Sequence, residues 1–193
     1  MTIILNGTTG ITTPDITSAA GLDAADLTGT VASARMPAGS VLQVKQITSA
    51  SIVSTTNSSF TDTGISWTFD NSLLAGSKVL VSLDVVMSQQ YSGSWASLAY
   101  VTIYEGAINR GDTLNGIAGS AANLGGATSS TAMQYDVERI GGSCVFTPSS
   151  TTPTIQLYFR TSDPNTGIKL NTSWANSFST YRSTLTGFIM EIA

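Results

Sequence analysis

The chain contains no histidine, one cysteine and few charges, with 8 basic and 12 acidic residues in 193. Without histidine it lacks the usual general base and the commonest metal ligand, so Ser-His-Asp and Cys-His schemes are excluded. Cys144 cannot form an intrachain disulfide or assemble a zinc site, and in "SCVFT" it reads as a small buried strand residue. Charged residues make up 10% of the chain, against about 25% in soluble domains. The net charge of -4 supplies no basic cluster to neutralise phosphates, so nucleic acid is not an expected partner. No run approaches the 18 or so apolar residues of a membrane helix, and no membrane insertion is expected. "MTIILNGTTG" has neither the basic start nor the apolar length of a secretory signal, so the expectation is synthesis in a host cytoplasm without an export address. No glycine-rich loop leads into a helix to cradle a phosphate, and no cofactor is expected.

Hydroxyls take the place of charge, with 27 Ser and 28 Thr. Residues 1–38 are dominated by Gly, Thr, Ala and Asp. They hold one short apolar run, Ile3 to Leu5, then turn signals at Asn6-Gly7 and Pro14-Asp15. Leu22 to Leu27 is too short for an independent helix. A lone segment of this kind cannot bury enough surface to offset its ordering entropy.

From Gly39 the period changes to two. Segments 41–48, 64–69, 78–89, 97–106, 132–140, 143–147, 154–161 and 185–193 are rich in β-branched and aromatic residues and bounded by Gly, Ser, Asn and Pro. In 78–89 the alternation puts Val79, Val81, Leu83, Val85 and Met87 on one face and Ser82, Asp84 and Ser88 on the other. Ile155, Leu157 and Phe159 repeat the pattern, with Gln156, Tyr158 and Arg160 outward. Gly141-Gly142 reads as a tight hairpin. The expected fold is all-β, an antiparallel jelly-roll-like sandwich over 39–193 preceded by an extended N-terminal stem over 1–38.

Three long connections stand out: 88–96, 106–130 and 171–183. Structureless loops this long usually have a function or meet a partner. The first and third carry Tyr91, Trp95, Trp174, Phe178 and Tyr181 among Ser and Asn. Rings on such loops are receptor-contact candidates, since they supply rigid area and hydroxyls supply adaptable hydrogen bonds. The alternative is that they cover the open ends of the sandwich. Asp136 and Glu138 have the spacing of paired carboxylates on one strand face, yet beside Arg139 they read as a solvated face. "TSDPNTG" (161–167) has the residue types of a calcium loop and equally those of a tight turn, which is the reading adopted. Arg110-Gly111-Asp112 spells an adhesion tripeptide that a Gly- and Asn-rich loop produces by chance. Asn6, Asn57 and Asn171 head Asn-x-Ser/Thr triplets without a route to glycosylation. The residues thus offer no catalytic or metal site.

"GTTGITTPDITSAAGL" and "LTGTVASARMP" resemble the low-complexity stems of bacteriophage fibre proteins. "GSVLQV", "SSFTDTGISWTF", "GSKVLVSLDVVMSQ" and "TGFIMEIA" resemble the β-rich C-terminal domains that follow such stems in marine and cyanobacterial phages. The resemblance spans most of the chain and is weakest over 106–142. It implies a virion protein, usually a homotrimer, displaying a receptor-facing domain on a thin stalk, and it brings no catalytic motif. Three copies would bury Ile3, Ile4, Leu5, Ile11, Leu22, Leu27, Val31 and Met36 about an axis. The expected function is that of a short tail fibre attaching to a host surface glycan or protein, with the stem docked on another virion protein. The alternative is a capsid decoration or head fibre protein. A depolymerase is not expected, because those enzymes need a long repetitive β-helix that this chain lacks.

Overall fold

The computed structural model describes residues 36–91, 98–121, 134–163, 167–172 and 183–193, all within one compact unit, Ser33–Ala193. Among these residues there are eleven strands and no helix. The strands are β1 Val41–Ser49, β2 Val53–Thr55, β3 Thr61–Thr68, β4 Lys78–Tyr91, β5 Leu98–Glu105, β6 Ile108–Asn109, β7 Ala118–Ala121, β8 Gln134–Phe146, β9 Thr154–Thr161, β10 Gly167–Leu170 and β11 Leu185–Ile192. They form two antiparallel sheets whose inner faces share one core, a β-sandwich.

The first sheet is built on β4. One edge of β4 pairs along its length with β8, from Val79↔Phe146 to Tyr91↔Gln134. Its other edge takes β11 over Lys78 to Asp84 and then β10 over Met87 to Gln90. β10 and β11 therefore act as one strand interrupted by residues 171–184. Outside them β1 pairs with β11 and β2 with β10, a second interrupted strand beside the first. In the other sheet β9 lies between β3 and β5, and the free edge of β5 takes β6 and β7 end to end.

The alternation in β4 and β9 explains the core. Val79, Val81, Leu83, Val85 and Met87 from one sheet meet Ile155, Leu157 and Phe159 from the other, all at most 3% exposed. Each such side chain contributes about 1.5–3 kcal/mol relative to leaving it in water. Ser82 and Asp84 face away as expected, whereas Ser88 is fully buried.

Two expectations are corrected. Gly141-Gly142 is no hairpin: β8 runs through it as one strand, joining the segments read as 132–140 and 143–147. Of the two, Gly142 is needed for space, since a Cβ there would lie 2.7 Å from the Ile117 carbonyl oxygen and 2.8 Å from the Ala118 Cβ. The sheets thus approach closely on this side. The supposed connection 106–130 is structured as far as it is described. Residues 106–121 turn at Gly106 and run back along β5, with a small loop closed by paired Asp112 and Gly116 hydrogen bonds.

Candidate contact surfaces

The two ends of the sandwich differ. At one end Gly39 N donates to Ala193 O (2.8 Å) and Ala193 N to Ser40 O (2.9 Å), so the residues just before β1 and just after β11 lie side by side. Connections here are pinned by buried carboxylates. Glu191, 2% exposed, accepts from Gln43 Nε2 (2.7 Å), Leu74 N (2.6 Å) and Ser77 Oγ (2.8 Å). Glu105, 4% exposed, accepts from the Ser149 amide (2.8 Å), the Ser149 hydroxyl (2.7 Å) and Arg110. Burial alone would raise the Glu105 pKa, but the Ser149 and Arg110 hydrogen bonds and the Arg110 charge outweigh it and hold the carboxyl below its ordinary value.

The ladders finish at the opposite end with Tyr91↔Gln134, Gln90↔Gly167, Leu98↔Ala121 and Ala99↔Thr161. The described residues flanking 92–97, 122–133 and 164–166 all stand there. Tyr91, expected on a loop, is instead the last residue of β4. Trp95, Trp174, Phe178 and Tyr181 lie outside the described residues, as do Ile3, Leu5, Ile11, Leu22, Leu27 and Val31. Met36 lies within them and is exposed.

The break between β10 and β11 is held by Asn171, which the sequence singles out only as the head of a triplet. It is fully buried at φ 59°, a left-handed conformation that asparagine tolerates better than most residues. Its Nδ2 donates to Ser49 O and Ser51 O (2.9 Å each), across the matching break between β1 and β2. Its own amide donates to Val86 O (2.9 Å), and its carbonyl accepts from Ser183 N (3.1 Å). One side chain thus ties the end of β10 to the break between β1 and β2. Asn171→Ala removes two donors and worsens the backbone fit, an expected loss of about 2 kcal/mol, or about 4–8 °C in melting temperature. Asn171→Gly should lose slightly less, because glycine accepts the φ. Thermal unfolding of both variants checks this, and an unchanged midpoint for the alanine variant would refute the role.

The outer face of the β3-β9-β5 sheet is aromatic and polar. The Tyr104 and Tyr158 rings stack at 3.9 Å. Burial, with Asp62 and Tyr104 nearby, raises the Tyr158 pKa. The Arg160 guanidinium lies over Tyr100 (4.5 Å) and Phe60 (5.3 Å). It also donates to Leu114 O and Ser58 O, tying two turns to this face.

The adhesion tripeptide is committed internally. Arg110 pairs with buried Glu105 and lies 4.8 Å from the Phe146 ring centroid. Asp112 accepts from the Leu114 and Asn115 amides (2.9 and 2.6 Å), which keep its pKa low. Arg139 pairs with Asp84 on the outer face (2.6 Å), while Glu138 shares the inward side of β8 with Ile140 and is half-buried, so the solvated-face expectation is corrected for it. Of the 161–167 segment, 164–166 lie outside the described residues; ahead of them Asp163 N donates to the Thr161 hydroxyl (3.2 Å). Cys144 packs against the core, and burial pushes its thiol up to about 11. Among the described residues no group of three His, Cys, Asp or Glu is placed to hold a metal, and no helix is long and apolar enough to cross a membrane.

No protein-family model matches the chain, and no curated protein matches it.

Proposed function

We propose that the chain is a structural virion protein of bacteriophage, a homotrimeric fibre of short tail fibre type that attaches the particle to the host cell surface. Residues 39–193 form its jelly-roll-like knob, and 1–38 form the stem that docks on another virion protein. The observation that carries this reading is the opposition of the two ends. Gly39 and Ala193 meet at one end, where a stem can join without crossing the sandwich. The flanks of 92–97, 122–133 and 164–166 stand at the other, and Trp95 lies in the first of these segments.

The strand order supports the jelly-roll reading. Counting β1–β2, β6–β7 and β10–β11 each as one interrupted strand, one sheet reads first, eighth, third, sixth and the other second, seventh, fourth, fifth. That is the double Greek-key wrapping common in viral coat and lectin domains.

Labelled full-length protein should bind cells of the infected bacterium saturably, and Trp95→Ala with Trp174→Ala should weaken binding at least tenfold without changing the melting temperature. Absence of binding, combined with a rise in capsid stability on adding the protein, would replace attachment by capsid decoration.

A further inference from the structure

The outer face of the β4-centred sheet differs from that of its partner. Register places Val44 opposite Met190, Met190 opposite Leu80 and Leu80 opposite Val145, so four apolar side chains form one row across β1, β11, β4 and β8. All four have the outward parity of Ser82, opposite to that of the core residues Val79, Val81 and Ile189. The row is open at its two ends, where Val44 and Val145 are each 56% exposed, and half-buried at Leu80 and Met190 between them, with half-buried Phe188 extending it on the next rung. On the other sheet the outward rings are interleaved with Arg160, Gln156 and Asp62 and overlaid by the Ser58 and Leu114 turns. Nothing comparable covers the apolar row among the described residues.

We infer that this row is the centre of a contact between copies of the chain. An apolar strip across a whole sheet is an unusual surface for a chain with so little charge to keep it dispersed. Its location argues for a second copy as occupant. The row lies one rung from the Ile192↔Lys78 pair, at the end where Gly39 meets Ala193 and where the 35 residues outside the described structure join at Met36. A stem that gathers copies about an axis brings this end of each sandwich closest to its neighbours, so the inference rests on the stem reading proposed above. Stable interfaces bury roughly 800 Å² per partner, more than four side chains provide, so the row is the centre of the contact and not the whole of it.

The test compares sedimentation velocity of the full-length protein, the double variant Val44→Lys with Val145→Lys, and a control carrying Ser66→Lys and Thr154→Lys on the other sheet's exposed positions. The substituted sites are already exposed, so the folded monomer tolerates them. The expected result is a trimer for wild type and control, with self-association at least tenfold weaker in the row variant. A row variant that stays trimeric like the control overturns the row alone and leaves the stem reading standing. A monomeric wild type overturns both. In that case a lower melting temperature for the row variant would identify the occupant as the chain's own N-terminal segment.

Discussion

Gly187→Ala should lower the melting temperature of the folded unit by about 6–12 °C, corresponding to about 3 kcal/mol for a chain of this size. Gly187 sits in β11, opposite Leu83 of β4 and Ile47 of β1. A methyl group there would fall inside contact distance of the Ser82 carbonyl oxygen, and the Ser82 carbon and Leu83 Cα would lie at 3.1 and 3.2 Å. All three are backbone atoms of the central strand, so relief requires β4 and β11 to separate. Gly142→Ala should cost a comparable amount by forcing β8 away from Ile117 and Ala118. Gly141→Ala supplies the contrast, because its Cβ would meet only the Leu83 carbonyl oxygen at an ordinary 3.6 Å. That variant should unfold within about 1 kcal/mol of the parent. Differential scanning calorimetry of the three variants checks the ranking, and equal midpoints for Gly141→Ala and Gly187→Ala would contradict the packing described.

Arg110→Ala is expected to cost about 3–5 kcal/mol, the usual consequence of removing one partner of a buried ion pair. Glu105 would keep its Ser149 bonds but lose the guanidinium, and Phe146 would lose its cover. The pair also sets an acid limit. Because the folded Glu105 pKa lies below its unfolded value of 4.5, its contribution is complete above that value and is lost as pH falls through the lower folded pKa. Wild-type stability should therefore decline below about pH 4.5, and Glu105→Gln with Arg110→Met should flatten that decline. A denaturant series from pH 3 to pH 7 measures both effects. Arg110→Ala as stable as wild type would mean that the tripeptide arginine is dispensable to the fold and free for adhesion.

The long strands were legible because their burial repeats every second residue over eight or more positions. β4 and β9 announce themselves through Val79 to Met87 and Ile155 to Phe159. The short strands were not. β6, β7 and β10 have two to four residues, too few to show a period, and they exist because β4 and β5 offer free edges. Gly141-Gly142 misled for a related reason, since the same dipeptide serves a turn or a close approach between sheets and only the partner sheet decides. Asn171 and the buried Glu105 and Glu191 depend on partners 44 to 148 residues away, with Arg110 the nearby exception at Glu105, and no local pattern marks them. The sequence-named contact residues divide differently. Tyr91 belongs to a strand, Met36 is exposed near the start of the sandwich, and the remaining aromatics lie beyond the described residues.

We propose that three copies assemble about the end where Gly39 meets Ala193. Light scattering on a sizing column tests it most directly. The full-length protein should elute with a mass of about 60 kDa, three times the 20.0 kDa chain. A single species at the mass of one chain, independent of concentration, would contradict it.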